Sequence, residues 1–209
     1  VNIDESLNGL LRICGNSSVD SFVIANNTII VKDIDDGGMI AADYSNCEYS
    51  NISIYGNSLT ATSSIRGGAI IGSENNIHNN RFSDITIYDN TITHGSEYGL
   101  VGFRDDVTHI TFNSSVINDS GSHLIYLREV GSDGVNNCNF TNIYLNNAGK
   151  SAIKVSHSDS SNNIFANITI TDTAESAVYL TNAVDTDLIN ITFTDTPWDV
   201  YVYSPTDDA

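Results

Sequence analysis

Asn167-Ile-Thr-Ile170 is followed 23 residues later by Asn190-Ile-Thr-Phe193. The same pattern reads backwards along the chain as Asn142-Ile-Tyr-Leu145, His109-Ile-Thr-Phe112, Asp84-Ile-Thr-Ile87 and Asn51-Ile-Ser-Ile54, with steps from the first of 33, 25, 33, 25 and 23 residues. A second pattern alternates with it through Leu11, Ile40, Ile70, Val101, Ile125, Ile153, Val178 and Val200. Self-similarity at this spacing marks a repeat architecture. Each segment alternates apolar and polar residues over four to six positions, the period of a strand with one buried face. Ile, Val, Thr, Tyr and Phe fill these positions, as strands prefer, and no stretch carries a sustained helical stripe. One such unit cannot bury its apolar face alone. Stacked units can, with Ile above Ile at roughly 4.8 Å per coil.

A third, weaker strand precedes the Asn-Ile-x-Ile segment. Tyr49, Phe82, Phe140, Phe165 and Ile189 sit two or three residues before its first Ile. The expected fold is all-β: a single-stranded parallel β-helix solenoid of about seven to eight coils, three strands each, as one domain over 1–209. Asn is abundant at the expected corners, 26 residues in all. Asn and Gly accept left-handed backbone at low cost, and side-chain amides such as Asn80 and Asn163 are expected to form ladders. His109 stands where a corner Asn is expected.

Bulk properties narrow the function classes. Twenty Asp and six Glu stand against three Lys and five Arg, a net charge of −18. This balance argues against nucleic-acid partners, which need a basic footprint. It resembles that of secreted proteins of salt-adapted archaea or their viruses, where screening by salt offsets self-repulsion. The expected location is therefore extracellular, on a cell surface or on a virion. No apolar run of 18 residues is present, so no membrane span is expected. The chain begins at Val1 without an amphipathic capping segment and is expected to be part of a longer one. Exposed coil ends are open strand edges, so homo-oligomers or filaments joined through them are expected. Cys47 and Cys138 share an inward column about three coils apart, roughly 14 Å, too far for a disulfide. They read as buried filler, and with Cys14 the cysteines are odd in number, so all three cannot pair internally. Eight Asn-x-Ser/Thr sequons occur, at Asn16, Asn26, Asn51, Asn113, Asn118, Asn139, Asn167 and Asn190. A glycoprotein is thus expected, although Asn51, Asn167 and Asn190 belong to the repeat and read as corners.

The Gly-x-Ile-x-Leu and Asn-x-x-Ile-x-x-Asn texture, from about Gly9 to Tyr203, resembles the right-handed parallel β-helix, or pectin-lyase-like, superfamily, and within it short-repeat archaeal and viral surface proteins. The resemblance implies the fold and leaves the function open among lyases, hydrolases, esterases, tailspikes and adhesins.

If the second segment points its Ile and Val inward, one outward column reads Arg12, Ala41, Ile71, Gly102, Tyr126, Lys154, Tyr179, Tyr201. Its neighbour reads Cys14, Asp43, Ser73, Arg104, Arg128, Ser156, Thr181. These two columns hold half of the eight Lys and Arg residues. Arg and Lys bind sugar carboxylates by charge-assisted hydrogen bonds, and Tyr offers a flat apolar face with a polar tip. The expected partner is an acidic polysaccharide or cell-surface glycan. In lyases of the superfamily, cations neutralise the uronate carboxylate while a side chain abstracts the C5 proton. That resemblance implies Lys154, Tyr126 and Arg128 as catalytic residues, Lys154 or Tyr126 being the base. Arg104 would join Arg128 as the clamp, with Tyr179 and Tyr201 binding substrate beside it. The same Tyr and Arg residues also read as covering for the sheet, with Arg104-Asp105 and Arg128-Glu129 as ion pairs. A competing class is then a non-enzymatic fibre, tailspike, sheath or adhesin module.

Hydrolysis needs paired carboxylates. Asp105, Asp106, Glu129 and Asp133 fall near one end of the same sheet, with His123 and His157 nearby. Asp105-Asp106 resembles the paired aspartates of polygalacturonase-like hydrolases, but the Gly-His-Gly and Arg-Ile-Lys motifs of those enzymes are absent. No cofactor or metal is expected beyond Ca²⁺ on surface carboxylates, and no dedicated calcium loop is present.

Overall fold

A computed structural model describes residues 2–3, 7–12, 15–42, 44–65, 68–74, 77–93, 99–128, 134–156, 160–183 and 185–203. Cys14, Asp43, His94, Glu129, Asp133 and His157 lie outside the described residues. Every ladder among the described strands is parallel, and each strand pairs with its counterpart one coil away. An eight-stranded sheet runs from Leu11–Arg12 to Trp198–Tyr203, and a seven-stranded sheet from Ser18–Ala25 to Asp187–Thr194. The fold is the expected parallel β-helix.

The corners explain why these residues fold this way. Left-handed backbone recurs at Asn16, Asn46, Asn79, His109, Asn137, Asn162 and Asp185. It recurs five residues later at Ser21, Asn51, Asp84, Ser114, Asn142, Asn167 and Asn190. Five residues later again it falls at Asn26, Gly56, Asp89, Asp119, Asn147, Asp172 and Asp195. Asn and Asp tolerate this conformation better than other residues with a Cβ, so their abundance follows from three stacked corners. His109 does occupy a corner, with φ 57°. It belongs to the first corner column, however. Phe112 pairs with Phe82 and Phe140, and Ser115 with Ile143. The counterpart of Asn51-Ile-Ser-Ile54 in that coil is therefore Ser114-Ser-Val-Ile117, five residues beyond the match expected from sequence. Because the corners are themselves five residues apart, the wrong register still resembles the right one.

Inside the seven-stranded sheet, Tyr49, Phe82, Phe112, Phe140 and Phe165 stack with successive ring centroids 4.7, 5.3, 6.1 and 4.9 Å apart. Phe103 packs against Phe82 and Phe140 from the eight-stranded sheet. The Tyr49 hydroxyl donates to the Ala41 carbonyl at 3.5 Å, which satisfies the polar end of a fully buried ring. The column ends on Leu188, which pairs with Phe165. Ile189, expected in that place, is 46% exposed.

The count of seven to eight three-stranded coils needs correction. The third face is a five-stranded sheet, from Asn2–Ile3 through Thr28–Gly37 and Ser58–Ile65 to Thr91–Thr93. Asn2–Ile3 and Leu7–Asn8 both pair with Thr28–Gly37, so among the described residues this face has four layers against eight and seven strands in the other two sheets, and only the first coils are three-sided. Beyond Thr93 the coils shorten because this face drops out, and 10-residue strands such as Asn139–Ala148 lead almost directly into the eight-stranded sheet. An amide ladder follows the third face, exposed at Asn27 and buried at Asn57 and Asn90. Asn27 Nδ2 donates to Asn57 Oδ1 at 3.0 Å, and Asn57 Nδ2 to Asn90 Oδ1 at 2.9 Å. In the coils without that face, Ser120, Ala148 and Thr173 take the place of the ladder Asn.

Asn80 and Asn163 do not stack on each other as a ladder. Each instead accepts from the backbone N–H of the cysteine one coil below, Cys47 at 2.9 Å and Cys138 at 3.0 Å. A longer exposed ladder runs through sequon and corner residues, Asn190 to Asn167, Asn167 to Asn142 and Asn142 to Asn113, at 3.2, 3.2 and 2.8 Å. Cys47 and Cys138 are buried in the core, and burial pushes the Cys138 thiol up to about 12, which keeps it protonated and unreactive.

Candidate functional site

The site is carried by the outer surface of the eight-stranded sheet. Tyr126, Lys154, Tyr179 and Tyr201 pair in register on consecutive strands, Ile125–Arg128, Ile153–Ser156, Ser176–Thr181 and Trp198–Tyr203. The column expected from the sequence therefore exists at this end. The alternation Ile-Lys-Val and Val-Tyr-Leu buries Ile153, Val155, Val178 and Leu180 and turns Lys154 and Tyr179 out. At the other end the expected register slips by one. Ile71, not Ile70, pairs with Ile40 and Val101, so Ile71 is buried in the core and Gly72 takes its place in the outward column. Ser73 is likewise buried, and Glu74 is the residue beside Arg104.

Parallel register with a coil rise near 5 Å brings neighbouring side chains to ring-contact distance. The Lys154 ammonium lies 4.8 Å from the Tyr126 ring centroid and 5.6 Å from that of Tyr179. Such a placement draws a cation to the negative ring faces. Tyr179 and Tyr201 continue the column as a stacked pair, centroids 5.2 Å apart. Exposure grows along it, from 7% at Tyr126 to 44% at Tyr201. The Tyr126 hydroxyl accepts from Ser156 Oγ at 3.2 Å. Arg104 and Arg128 pair side by side on the adjacent column. Arg104 meets Asp105 at 3.3 Å, and Asp105 and Asp106 both adopt left-handed backbone at the turn that follows.

A cleft of about 210 Å³ opens beside the tyrosine column, lined by His123, Lys150, Lys154, Glu175 and Tyr179. Three stacked turns build it: Gly121-Ser-His123, Gly149-Lys-Ser151 and Ala174-Glu-Ser176. Lys150 N–H donates to Ser122 O at 3.0 Å and Glu175 N–H to Lys150 O at 3.3 Å, which sets the turns one above another. Gly149 allows this close approach, because a Cβ there would meet the Gly121 carbonyl oxygen at 2.6 Å. Ser120 Oγ donates to the His123 carbonyl at 2.8 Å and pins the first turn.

His123 forms the buried wall, 2% exposed, with its ring 5.4 Å from that of Tyr126. Its Nδ1 lies 3.0 Å from the Ser151 carbonyl oxygen. A carbonyl only accepts, so Nδ1 carries the proton and Nε2 is a bare acceptor. Burial, reinforced by the Lys154 charge and, more weakly, by Lys150, holds the imidazole down at about 3, against an opposing contribution from the Ser151 hydrogen bond. His123 is therefore neutral at pH 7. Its Nε2 is buried and has no hydrogen-bond partner among the described residues.

The structure thus brings together Lys154, Tyr126, Tyr179 and Tyr201, with Arg104 and Arg128 one column away. The sequence reading does not single out Lys150 and Glu175, and it places His123 only as a neighbour of carboxylates. The signal that marks them is a Gly/Ala-x-His/Ser motif shortly before each strand, at 121–123, 149–151 and 174–176. Among the described residues, no three His, Cys, Asp or Glu side chains converge as metal ligands, and no helix is long and apolar enough to cross a membrane.

No protein-family model matches the chain, and no curated protein matches it in sequence. Among solved structures, it is similar to the A-module of mannuronan C-5 epimerase AlgE4 from Azotobacter vinelandii, with 10% identity over 97% of this chain and 79% of that one and a TM-score of 0.36. The A-module of mannuronan C-5 epimerase AlgE6 from the same organism gives 12% identity over 97% and 78% of the two chains, with a TM-score of 0.32. The strand ladders themselves define the class, a parallel β-helix with one cation- and tyrosine-bearing face.

Proposed function

We propose that this face binds an acidic polysaccharide. The observation that carries the reading is Lys154, held between two tyrosine rings at the rim of a cleft that also presents Lys150. In a chain of net charge −18 with only three lysines, two lysines converge on one cleft. Lysine ammonium groups donate charge-assisted hydrogen bonds to uronate carboxylates, and the exposed tyrosines offer faces and hydroxyls to sugar rings. A column that repeats every coil suits an extended polymer. Affinity electrophoresis in gels containing a uronate polymer or a neutral polymer tests this. Lys150→Ala/Lys154→Ala is expected to weaken retardation by the uronate gel about tenfold, or about 1.4 kcal/mol, and to leave the neutral gel unaffected. Equal retardation of the variant and the wild type would contradict the reading.

Lyase-type cleavage extends the same reading. For cleavage, Lys154 as the neutral amine or Tyr126 as the phenolate would take the C5 proton while Arg128 and Arg104 hold the carboxylate in place of the lysines; the C4–O4 bond breaks as the C4=C5 bond forms, and the departing sugar oxygen takes a proton from solvent. New reducing ends together with the ultraviolet absorbance of an unsaturated sugar would support it, and bound but intact polymer would leave a binding module.

A surface location in a salty medium fits the charge. Salt screens self-repulsion over about 10 Å at 0.1 M, so the melting temperature is expected to rise steadily as KCl increases. A flat or falling profile would count against salt adaptation.

A second reading, a module that assembles through coil ends, draws on one observation. The strand Trp198–Tyr203 is exposed along its whole length, with Trp198 and Val202 each at 66%. Open apolar strand edges recruit further strands. Trp198→Lys/Val202→Lys is expected to convert any sedimenting oligomer to monomer. A wild type that sediments as monomer at all concentrations would end this reading.

A further inference from the structure

The cleft specifies more than an anion. His123, one of its lining residues, carries a bare acceptor at Nε2, buried in the wall and with no partner among the described residues. The lining also contains two ammonium groups, Lys150 and Lys154, one carboxylate, Glu175, and the Tyr179 ring. With the imidazole neutral, the lining carries a formal charge of +1, which one carboxylate balances. Lys150 and Lys154 are donors only. An imidazole locked as the Nδ1–H tautomer by the Ser151 carbonyl, at 3.0 Å, can only accept at Nε2. Buried polar groups are satisfied as a rule, and each exception calls for an explanation, a bound partner or a functional role among them.

We propose, resting on the acidic-polysaccharide reading, that His123 is a specificity-determining residue that accepts a hydrogen bond from a free hydroxyl of the bound sugar. The cleft then takes one hydroxy-carboxylate unit, a uronate residue whose carboxylate meets Lys150 and Lys154 and whose neighbouring hydroxyl donates to Nε2. Glu175 is the acceptor for a second hydroxyl. Nε2 is closed to solvent in the structure, so the proposal requires the cleft wall to open for the hydroxyl, and the Nε2 resonance reads whether it does. A sulfate- or phosphate-bearing sugar lacking that hydroxyl would fill the anion position and leave Nε2 without a donor. The same holds for an O-methylated uronate. Discrimination against these is the property that a structural histidine does not confer.

The experiment is a titration of the full chain, labelled with ¹⁵N-histidine, with a trigalacturonate and with its O-methylated counterpart that retains the carboxylates. His123 is assigned from the spectrum of His123→Gln. With the free sugar, the pyridine-type Nε2 resonance of His123 is expected to move upfield as it accepts a hydrogen bond, while Nδ1–H stays in place. The methylated sugar is expected to bind about tenfold more weakly and to leave Nε2 unmoved. His123→Phe, which removes the acceptor and keeps an aromatic ring, is expected to bind both sugars alike. Saturable binding of trigalacturonate with the Nε2 resonance unmoved overturns the role of His123 and leaves the polysaccharide reading standing. Absence of binding by either sugar overturns both. The spectra of the wild type decide the matter even if His123→Phe does not fold.

Discussion

Replacing Phe140 with alanine is expected to destabilise the protein by about 3–5 kcal/mol, the range for removing a buried aromatic from a core. The ring is fully buried, stacks 4.9 Å from Phe165 and 6.1 Å from Phe112, and meets Phe103 in a tilted contact at 6.3 Å. Loss of the ring opens a cavity in the middle of the stack. The flanking aromatics are fixed to their own coils by ladder hydrogen bonds on both sides and cannot close it. In a solenoid each coil is stabilised by its two neighbours, so a cavity at this coil weakens two interfaces together. Tyr144, on the same strand but 40% exposed on the other face, is the control. Its replacement by alanine is expected to cost under about 1 kcal/mol. Urea denaturation of the two variants provides the comparison. Similar midpoints for both would mean that the aromatic column is not the core.

His123 carries the second large effect, and it depends on pH. An unfolded histidine titrates near 6.5, whereas burial and the lysine charges hold the folded one at about 3. Between those values the unfolded state binds a proton that the folded state excludes. Stability therefore rises with pH across this window and falls as the solution is acidified from about 6.5 toward 3. At pH 4 the penalty from this group is roughly 3 kcal/mol, because each pH step of one below the unfolded value costs about 1.36 kcal/mol. Protonation of the many carboxylates in the same range relieves repulsion and acts in the opposite direction, so the informative quantity is a difference. Relative to its own value at pH 7, His123→Gln is expected to lose less stability at pH 4 than the wild type, by roughly that amount. Parallel profiles for the two proteins would mean that the imidazole protonates freely in the folded state.

Asp20 behaves differently because it is on the surface. Hydrogen bonds from Ser50 Oγ at 2.7 Å, Asn51 Nδ2 at 2.7 Å and Ser21 Oγ at 3.1 Å hold its carboxyl below the usual value. It shows how corner residues of adjacent coils tie an exposed acid in place.

The fold is legible in the sequence because strand alternation and corner chemistry repeat together. Ile168-Thr-Ile170 after Asn167 states both in four residues, and Asn142 and Asn190 repeat it. Legibility fails where one of the two signals is missing. At Ser114-Ser115 neither the corner Asn nor the inward Ile is present, so His109-Ile-Thr-Phe112 stands in for it and Phe112 drops out of the expected aromatic column. At Ala69-Ile70-Ile71 two adjacent isoleucines are both fully buried. Alternation cannot choose between them, and the slip by one residue follows. The loss of the third face after Thr93 leaves only a shorter spacing as its trace. The tyrosine–lysine column is readable because it sits within strands, where every second residue faces out. The cleft is not, because His123, Lys150 and Glu175 lie in turns, and their convergence depends on how three turns stack.

The most direct test of the central claim is a calorimetric titration of the wild-type protein at pH 7 and low ionic strength. A uronate oligosaccharide is compared with a neutral oligosaccharide of equal length. The Lys150–Lys154 cleft predicts saturable binding of the uronate, weakened by added salt, and none of the neutral sugar. Binding of neither, or equal binding of both, would contradict it.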